Sequence, residues 1–500
     1  MQVYNPLFQQ KNAQLFFDFF LTIVFILQIK NICSFFLEFL LTGRKKKHII
    51  MYIFYERYGF SMGIKVVKFG GSSLADASQF QKVAAIIKAD PSRRYVVASA
   101  PGKRFKDDIK ITDLFYQCYN MIKARQDISE IYSKIKDRYL GIIRDLGIDF
   151  DISGELEYIK NAMLSHSGRD FAASRGEYLN SLILAKFLGF DFIDAENVIF
   201  FGDNGAFDEE STNSALSEEL ANHEYAVIPG FYGSMPNGTI KTFSRGGSDV
   251  TGALVARAAT AEIYENWTDV SGMMMADPRI VDNPDTIDTV TYRELRELAY
   301  MGATVLHEDA VFPVQTVGIP INIRNTNCPE ASGTMIVAAT DNYDSKHVIT
   351  GVAGKKGFTV ITIESDKMNS TIGFVRRLLE ILEENNVSFE HLPSGIDTVS
   401  IVINTEHLEP HREKILSTIS RKMQPNCISV EDNISLVAVV GRGMVKVKGT
   451  AAKVFDAVSE AGVNIRMIDQ GSSELNIILA IEEHDFETAV KAIYNKFASK

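Results

Sequence analysis

The sequence predicts an α/β protein. A mostly parallel sheet sandwiched by helices is expected over residues 62–340, followed by two small α+β modules over 341–425 and 426–500. Three observations lead there. From Ile64 to about Thr340, short β-branched runs alternate with amphipathic stretches, as crossover units on a parallel sheet do. After about residue 351 the chain repeats itself: Phe358–Ile363 matches Ile434–Val439, Leu378, Leu379 and Leu382 match Val454, Phe455 and Val458, and Gly395 and Val399 match Gly471 and Leu475. At about 150 residues per domain, 500 residues leave room for about three domains.

Residues 1–61 differ from the rest in composition. Their longest uncharged apolar stretch, Phe19 to Ile29, lies between Asp18 and Lys30 and is shorter than the about 20 residues of a membrane-spanning helix. A second run, Ile32 to Leu41, contains Glu38 and precedes the basic cluster Arg44–Lys47, the reverse of a signal peptide's order. This leader reads either as membrane-associating or as sequence upstream of the true start. The well-formed strand that follows Met62 favours the second, so these residues are expected to stand outside the fold.

The first strand is Val66–Phe69, followed by a Gly/Ser turn and a helix from about Asp76 to Lys88. Tyr95–Ala98 is a second strand. Residues 113–220 are expected to be mainly helical, with Leu179, Leu182, Ile183 and Phe187 at helical spacing. Tyr225–Phe231 is a further strand ending in a turn. Each repeat unit then reads strand, helix, strand, strand, helix.

Composition narrows the function. With 46% apolar and 23% charged residues, the chain is neither disordered, collagen-like nor a many-span membrane protein. Its 63 acidic against 52 basic side chains give a formal charge of −11, which argues against nucleic-acid binding. Cys33, Cys118, Cys328 and Cys427 form no CxxC pair, so neither a disulfide framework nor a zinc site is expected, and a reducing cytoplasm is the simpler setting.

Three motifs can carry chemistry. Lys68-Phe69-Gly70-Gly71-Ser72-Ser73 joins a strand to a helix; adjacent glycines let backbone N–H groups approach a phosphate, with Lys68 as a point charge. The same turn could be purely structural. Ser244-Arg245-Gly246-Gly247-Ser248-Asp249 opens another helix, where Ser248 or Asp249 could act as a cap. A cap leaves Arg245 beside two glycines unexplained, and two such loops suggest an anion clamped from both sides. Trp267-Thr268-Asp269-Val270-Ser271-Gly272, continuing to Asp277-Pro278-Arg279, reads alone as a strand and turns. Ser174-Arg175-Gly176-Glu177 opens a further helical stretch, where an acidic residue suits the helix dipole.

Taken together, these motifs, in this order and spacing, resemble the aspartate kinases from about Met62 to Lys500, and the terminal repeat resembles their paired ACT regulatory modules. The Ser-Arg-Gly-Gly-Ser-Asp form resembles the monofunctional, lysine-sensitive branch. The resemblance implies an amino-acid-kinase-type domain that phosphorylates the L-aspartate side chain with ATP, the first step toward lysine, threonine, methionine and diaminopimelate. Mg²⁺ would ride on the nucleotide phosphates, and no protein metal site is expected. The substrate carboxylate, with a pKa near ~4, is already ionised at neutral pH, so no general base is needed and catalysis should rest on positioning and cationic stabilisation.

By this resemblance Lys68 stabilises the transferring phosphoryl group and Asp249 holds Lys68. Arg245 binds the aspartate α-carboxylate, Glu177 its α-ammonium, and Ser99 and Thr112 complete the pocket. Phe69, Gly70, Gly71 and Ser72 line the nucleotide with Thr268, Asp269, Met274 and Arg279. Met274 replaces the tyrosine usual there, and Thr304 replaces a lysine. Met368, Thr371, Gly373, Phe374 and Val375, with Ser388, Phe389 and Glu390, match the effector-binding loop and strand. Lysine is the implied effector, with threonine as a possible co-effector, and a homodimer joined through the ACT modules is implied, with no membrane or nucleic-acid partner. Two other readings are a kinase for a different small carboxylate or carbamate, against which Glu177 and the ACT pair weigh, and an inactive amino-acid sensor, against which the intact Lys68 and Asp249 loops weigh.

Overall fold

Alternating buried runs and amphipathic helices assemble into an eight-stranded sheet followed by a five-stranded one. The computed structural model describes residues 63–338 and 348–498, apart from residues 166, 245, 304, 305 and 307. The leader over residues 1–61 and the domain boundary expected at 340/341 lie outside the described residues, as do Arg245 and Thr304.

Strand β1 (Lys65–Phe69) lies at the middle of the large sheet, with Val66, Val67 and Phe69 fully buried because both sheet faces are covered. Helix α1 (Ala77–Ala89) follows a short 3-10 turn and starts on Asp76, whose side chain accepts from the Gln79 N–H and satisfies a free helix-end donor. Strand β2 (Arg93–Ala98) pairs in parallel with β1. Four helices come next: α2 (Ile111–Lys123), α3 (Ser129–Leu146), α4 (Ser153–Leu164) and α5 (Arg169–Leu188). Helix α5 is buried over most of its surface. A Cβ on Gly176 would sit 2.8 Å from the Ala100 Cβ, so only glycine lets α5 come this close to the chain leaving β2.

The stretch expected to be mainly helical also contains three two-residue strands, β3 (Asp191–Phe192), β4 (Phe200–Phe201) and β5 (Phe207–Asp208), before α6 (Glu209–Ala221). Segments this short carry no readable period. Strand β6 (Ala226–Pro229) pairs with β2 and β3, while β7 (Tyr232–Ser234) and β8 (Ile240–Thr242) join β4 and β5 in a side sheet. Helix α7 (Gly247–Ala258) leads into β9 (Ile263–Thr268), which pairs in parallel with the other side of β1. Strand β10 (Thr289–Thr291) is followed by α8 (Tyr292–Tyr300), which starts in a Thr291/Glu294 capping box. Helix α9 (Glu308–Gln315) and strands β11 (Ile321–Asn325) and β12 (Thr334–Val337) complete the order β10-β12-β11-β9-β1-β2-β6-β3. The chain moves from β1 to β2 on one side and later returns to β9 on the other. Ligands of open α/β sheets bind at the carboxyl ends of strands beside such a reversal.

The second sheet is built on two 14-residue strands, β13 (Gly351–Glu364) and β15 (Cys427–Val440). Between them lie α10 (Phe374–Glu383), β14 (Thr398–Asn404), α11 (Thr405–Leu408) and α12 (Arg412–Met423). After β15 come α13 (Thr450–Glu460), β16 (Ile465–Asp469), β17 (Asn476–Glu482) and α14 (Phe486–Phe497). Both long strands serve both repeats: Gly351–Lys355 pairs with Leu436–Val440, and, beyond an irregularity at Lys355–Phe358, the rest of β13 pairs with the first half of β15. A cut at 425/426 therefore precedes a strand that belongs to each half.

The repeat is visible in the packing. Leu378 and Leu382 of α10 and Val454 and Val458 of α13 are all buried, and Gly395 and Gly471 each sit in a tight turn before the last strand of their unit. Ser388–Glu390, expected as a strand, forms no regular one; only isolated bridges at His391 and Ser394 tie the segment that follows to β14.

Candidate active site

Lys68 points from β1 into a buried environment, its residue only 7% exposed, and its Nζ lies 2.5 Å from Asp249 Oδ1. Asp249 stands in the first turn of α7. Gly246, the residue before that helix, has φ +62, a left-handed value that glycine adopts without strain. Gly247 packs so closely that a Cβ would come 2.6 Å from the Phe231 ring. A third side chain, Asn266 of β9, donates from Nδ2 to the same Asp249 Oδ1 at 2.8 Å.

The glycine turn after β1 is fixed by its backbone. Gly70 N–H donates to the Trp267 carbonyl at 2.9 Å, and the Gly71 carbonyl accepts from Gly102 N–H at 2.8 Å. A Cβ on Gly71 would lie 2.9 Å from the Ala100 carbonyl, whereas one on Gly70 would keep ordinary contact, 3.7 Å from Lys68 Nζ. Gly71 is thus required by a close approach, and Gly70 lies beside the lysine ammonium. Phe69 is fully buried and stacked on Trp267 with centroids 6.0 Å apart, so its side chain belongs to the core. Ser72 is half-buried in the following turn, and Ser73 shares a hydrogen bond with Thr326 at 2.7 Å.

At the end of β2, Ser99 N–H donates to the Phe69 carbonyl at 3.2 Å, and the Ser99 carbonyl accepts from Asn180 Nδ2 at 2.7 Å. Thr112 stands in the first turn of α2, and Glu177 is buried on α5. Burial pushes the Glu177 carboxyl up to about 8, against the opposing pull of the Ala100 N–H, its own N–H and Arg175. Its Oε2 has no hydrogen-bond partner among the described residues. A bound cation would satisfy that oxygen and favour the charged form.

Thr268 closes β9, and its hydroxyl donates to Asp269 Oδ1 at 3.3 Å. Met274 bridges to Thr286, whose hydroxyl approaches its sulfur at 3.6 Å. Arg279 is 86% exposed and committed to Asp277, with Nη2 at 2.6 Å, which holds the Asp277 carboxyl below its ordinary range. No contact joins Arg279 to the Lys68 group among the described residues. Lys68, Gly70, Gly71, Asp249 and Thr268 thus gather at the carboxyl ends of β1 and β9, with Ser99, Thr112 and Glu177 around the adjoining end of β2.

In the second sheet, Met368 and Phe374 lie in the core of the first repeat, while Thr371 donates to the Lys367 carbonyl at 3.0 Å in a surface turn. Gly373 has φ +76 at the start of α10, Val375 is half-buried, and Ser388 and Phe389 are exposed. Glu390 accepts a hydrogen bond from the Tyr300 hydroxyl at the end of α8.

Sequence reasoning missed Asn266, Asn180 and the Trp267 carbonyl. For Asn266 a signal existed: Glu265-Asn266 places two consecutive polar residues inside an otherwise buried parallel strand.

The sequence matches the amino acid kinase family over residues 63–325 and an ACT domain over residues 437–497. It is 37% identical over 453 residues to aspartokinase 3 of Bacillus subtilis (strain 168), covering 87% of this chain and 98% of that protein. Over 469 residues it is 28% identical to the lysine-sensitive aspartokinase 3 of Escherichia coli (strain K12), covering 86% and 98%. The fold matches the crystal structure of Clostridium acetobutylicum aspartate kinase with a TM-score of 0.80 and 53% identity, over 87% of this chain and all of that one. It also matches E. coli aspartokinase III in complex with aspartate and ADP, with a TM-score of 0.67 and 27% identity over 87% of this chain and 99% of that one. The same enzyme in complex with lysine and aspartate gives 0.67 and 26%, over 87% and 100%.

Proposed function

The chain belongs to the amino acid kinase family, as an aspartokinase carrying ACT domains, and from that premise we propose that it transfers the γ-phosphoryl group of ATP to the side-chain carboxylate of L-aspartate under feedback control by lysine. The observation that carries this reading is the buried Lys68 ammonium held by Asp249 beside the Gly70–Gly71 turn, with Glu177 Oε2, which has no hydrogen-bond partner among the described residues, near the adjoining end of β2.

The chemistry is the approach of one anion to another. Lys68 offers a fixed charge for the transferring phosphoryl oxygens, and the glycine turn brings backbone close to the phosphates. Mg²⁺ bound to ATP adds further neutralisation. Glu177 takes the substrate ammonium, Arg245 its α-carboxylate, and Ser99 and Thr112 fix the pocket end. Thr268, Asp269 and Met274 face the nucleotide; Arg279 reaches it only by relaxing its pair with Asp277. The carboxylate nucleophile needs no base.

Regulation has a physical route. The Val352 N–H of β13 donates to the Met275 carbonyl at 2.7 Å, and the Tyr494 hydroxyl of α14 accepts from Asp285 N–H at 2.9 Å, so the segment after β9 is bonded directly to the regulatory sheet. Glu294 of α8 accepts from the Thr350 hydroxyl at 2.6 Å and from Arg442 N–H at 3.0 Å, and Tyr300 reaches Glu390. An effector that favours one arrangement of the sheet would bias the nucleotide segment with it. Lysine bound near Thr371, Gly373 and Ser388–Glu390 would act through these bonds, with threonine as co-effector. Tyr300→Phe should raise the lysine concentration for half inhibition by about threefold or more, the scale for one coupling residue, and leave uninhibited turnover within twofold. Unchanged inhibition would remove Tyr300 from the route.

Strands β14 and β16 end the regulatory sheet; the bridges at His391 and Ser394 cover part of β14, while β16 leaves an edge through which a second copy would pair to form a homodimer. A cytoplasmic setting is supported by free Cys118, Cys328 and Cys427. No helix among the described residues is long and apolar enough to cross a membrane.

The test is acyl-phosphate formation by the purified protein, trapped with hydroxylamine, from ATP and L-aspartate with and without lysine. Lysine-suppressed product formation is the expected result. Nucleotide binding without product would refute the kinase reading, and product formation indifferent to lysine would refute the assigned effector.

A further inference from the structure

Asn266 has no place in the reaction as described so far, yet it touches its centre. It is 4% exposed, lies on β9 and is the direct register partner of Lys68 on β1. Register partners in a parallel sheet direct their side chains to the same face, so Lys68 and Asn266 stand side by side. Asp249, from the first turn of α7, meets both with one atom: Oδ1 is 2.5 Å from Lys68 Nζ and 2.8 Å from Asn266 Nδ2. The Asp249 backbone is held separately, its carbonyl accepting from the Tyr264 hydroxyl at 3.1 Å.

We propose that Asn266 is a positioning residue for phosphoryl transfer: by donating to Asp249 Oδ1 it fixes the carboxylate that fixes Lys68. This rests on the kinase reading above. A lysine ammonium has three donors, and Asp249 engages it from one side, leaving capacity for phosphate oxygens. The carboxylate itself could rotate about its side-chain bonds and carry the ammonium with it. A neutral amide removes that freedom without adding charge. An aspartate at the same position would set a second carboxylate beside Asp249, and two close carboxylates resist joint ionisation. A leucine would fill the space but leave Asp249 Oδ1 without its second donor.

Steady-state kinetics of the full chain test this with Asn266→Ala, Asn266→Ser and Asn266→Asp, alone and combined with Asp249→Asn. Asn266→Ala should lower kcat about tenfold, less than the about hundredfold expected from a direct electrostatic contact, with KM for aspartate changed less than twofold. Asn266→Ser, which keeps a donor on a shorter side chain, should retain more activity than Asn266→Ala. Asn266→Asp should make kcat fall as pH rises where the wild type is flat, because a protonated carboxyl at 266 still donates to Asp249 and an ionised one repels it, a signature that simple loss of packing would not produce. In the Asp249→Asn background, Asn266→Ala should cost less than a further twofold, because the carboxylate whose hold on Lys68 it fixes is gone. An Asn266→Ala enzyme within twofold of wild-type kcat overturns the proposal, and so does an undiminished loss in the Asp249→Asn background. A variant that fails to fold, by circular dichroism, is replaced in this comparison by Asn266→Ser. Lys68→Ala separates the two readings: if it turns over normally, the kinase assignment of the site fails, whereas an impaired Lys68→Ala with an unimpaired Asn266→Ala refutes only the role of Asn266.

Discussion

Lys68→Ala should reduce acyl-phosphate formation at least about a hundredfold at saturating ATP and aspartate, the scale for losing one preorganised electrostatic contact in a water-poor site. The side chain starts on a strand buried on both faces and ends against Asp249, so its ammonium is placed by the fold before any substrate arrives. That preorganisation is what a soluble cation cannot supply. Removing the ammonium also leaves the Asp249 carboxylate with Asn266 as its one remaining side-chain contact among the described residues, a negative charge where a phosphate must approach. The loss should therefore exceed that of an absent attraction alone. Lys68→Arg should rescue little, because a planar guanidinium is longer and needs a different donor geometry than a point charge 2.5 Å from Oδ1. Hydroxamate trapping gives the rate, and unchanged circular dichroism shows that the fold survives. Turnover within tenfold of wild type in Lys68→Ala would move the phosphoryl contact to another cation.

The parts of this site that were legible in the sequence are those that demand unusual residue types. Gly71 must be glycine because the Ala100 carbonyl lies where its Cβ would be, and Gly247 because Phe231 does. Such demands leave glycine pairs that stand out in a string of letters. The repeat was legible for a similar reason: Leu378 and Val454, or Leu382 and Val458, fill corresponding places in corresponding cores and keep a fixed spacing. Partners that meet across long separations leave no local mark. Asn266 reaches Asp249 from 17 positions away, and Asn180 reaches Ser99 from 81 away. The sharing of β13 and β15 between the two repeats was hidden because alternation of apolar residues fixes which face is buried but not which strand is the neighbour. The side sheet was hidden because β4 and β5 are only two residues long. For Arg279, its place in a motif said nothing of the Asp277 carboxylate that its guanidinium engages.

Glu265→Ala should destabilise the protein by about 3–5 kcal/mol, the cost of leaving buried charge without its partner. Glu265 is 2% exposed, and its carboxylate accepts from Arg93 Nε at 2.8 Å, from Arg93 Nη2 at 3.2 Å and from the Trp267 indole at 2.9 Å. Arg324 approaches the same carboxylate at 3.7 Å, and both guanidiniums lie over the Trp267 ring, at 5.4 Å for Arg93 and 4.5 Å for Arg324. Burial already weighs against the charged form of Arg324, and Glu265 offsets it. Truncation removes the one negative charge between two cations and frees the indole N–H. The consequence reaches the active site, because the Trp267 carbonyl holds the Gly70 N–H at 2.9 Å. Trp267 is the only tryptophan in the chain, so its fluorescence reports this locus directly during denaturant unfolding. The fluorescence midpoint should move to lower denaturant in Glu265→Ala with the slope unchanged, as expected of a change in stability alone. Glu265→Gln keeps the size and can still accept from the indole, and should fall between the two, which isolates the contribution of charge. A change below about 1 kcal/mol in Glu265→Ala would mean that water enters to solvate both guanidiniums, and the cluster would then be a surface ion pair in energetic terms. A buried triad of this kind adds little net stability over an apolar filling of the same shape. Its value lies in direction: two arginines and one carboxylate hold the indole of the residue whose backbone carbonyl accepts from Gly70 N–H.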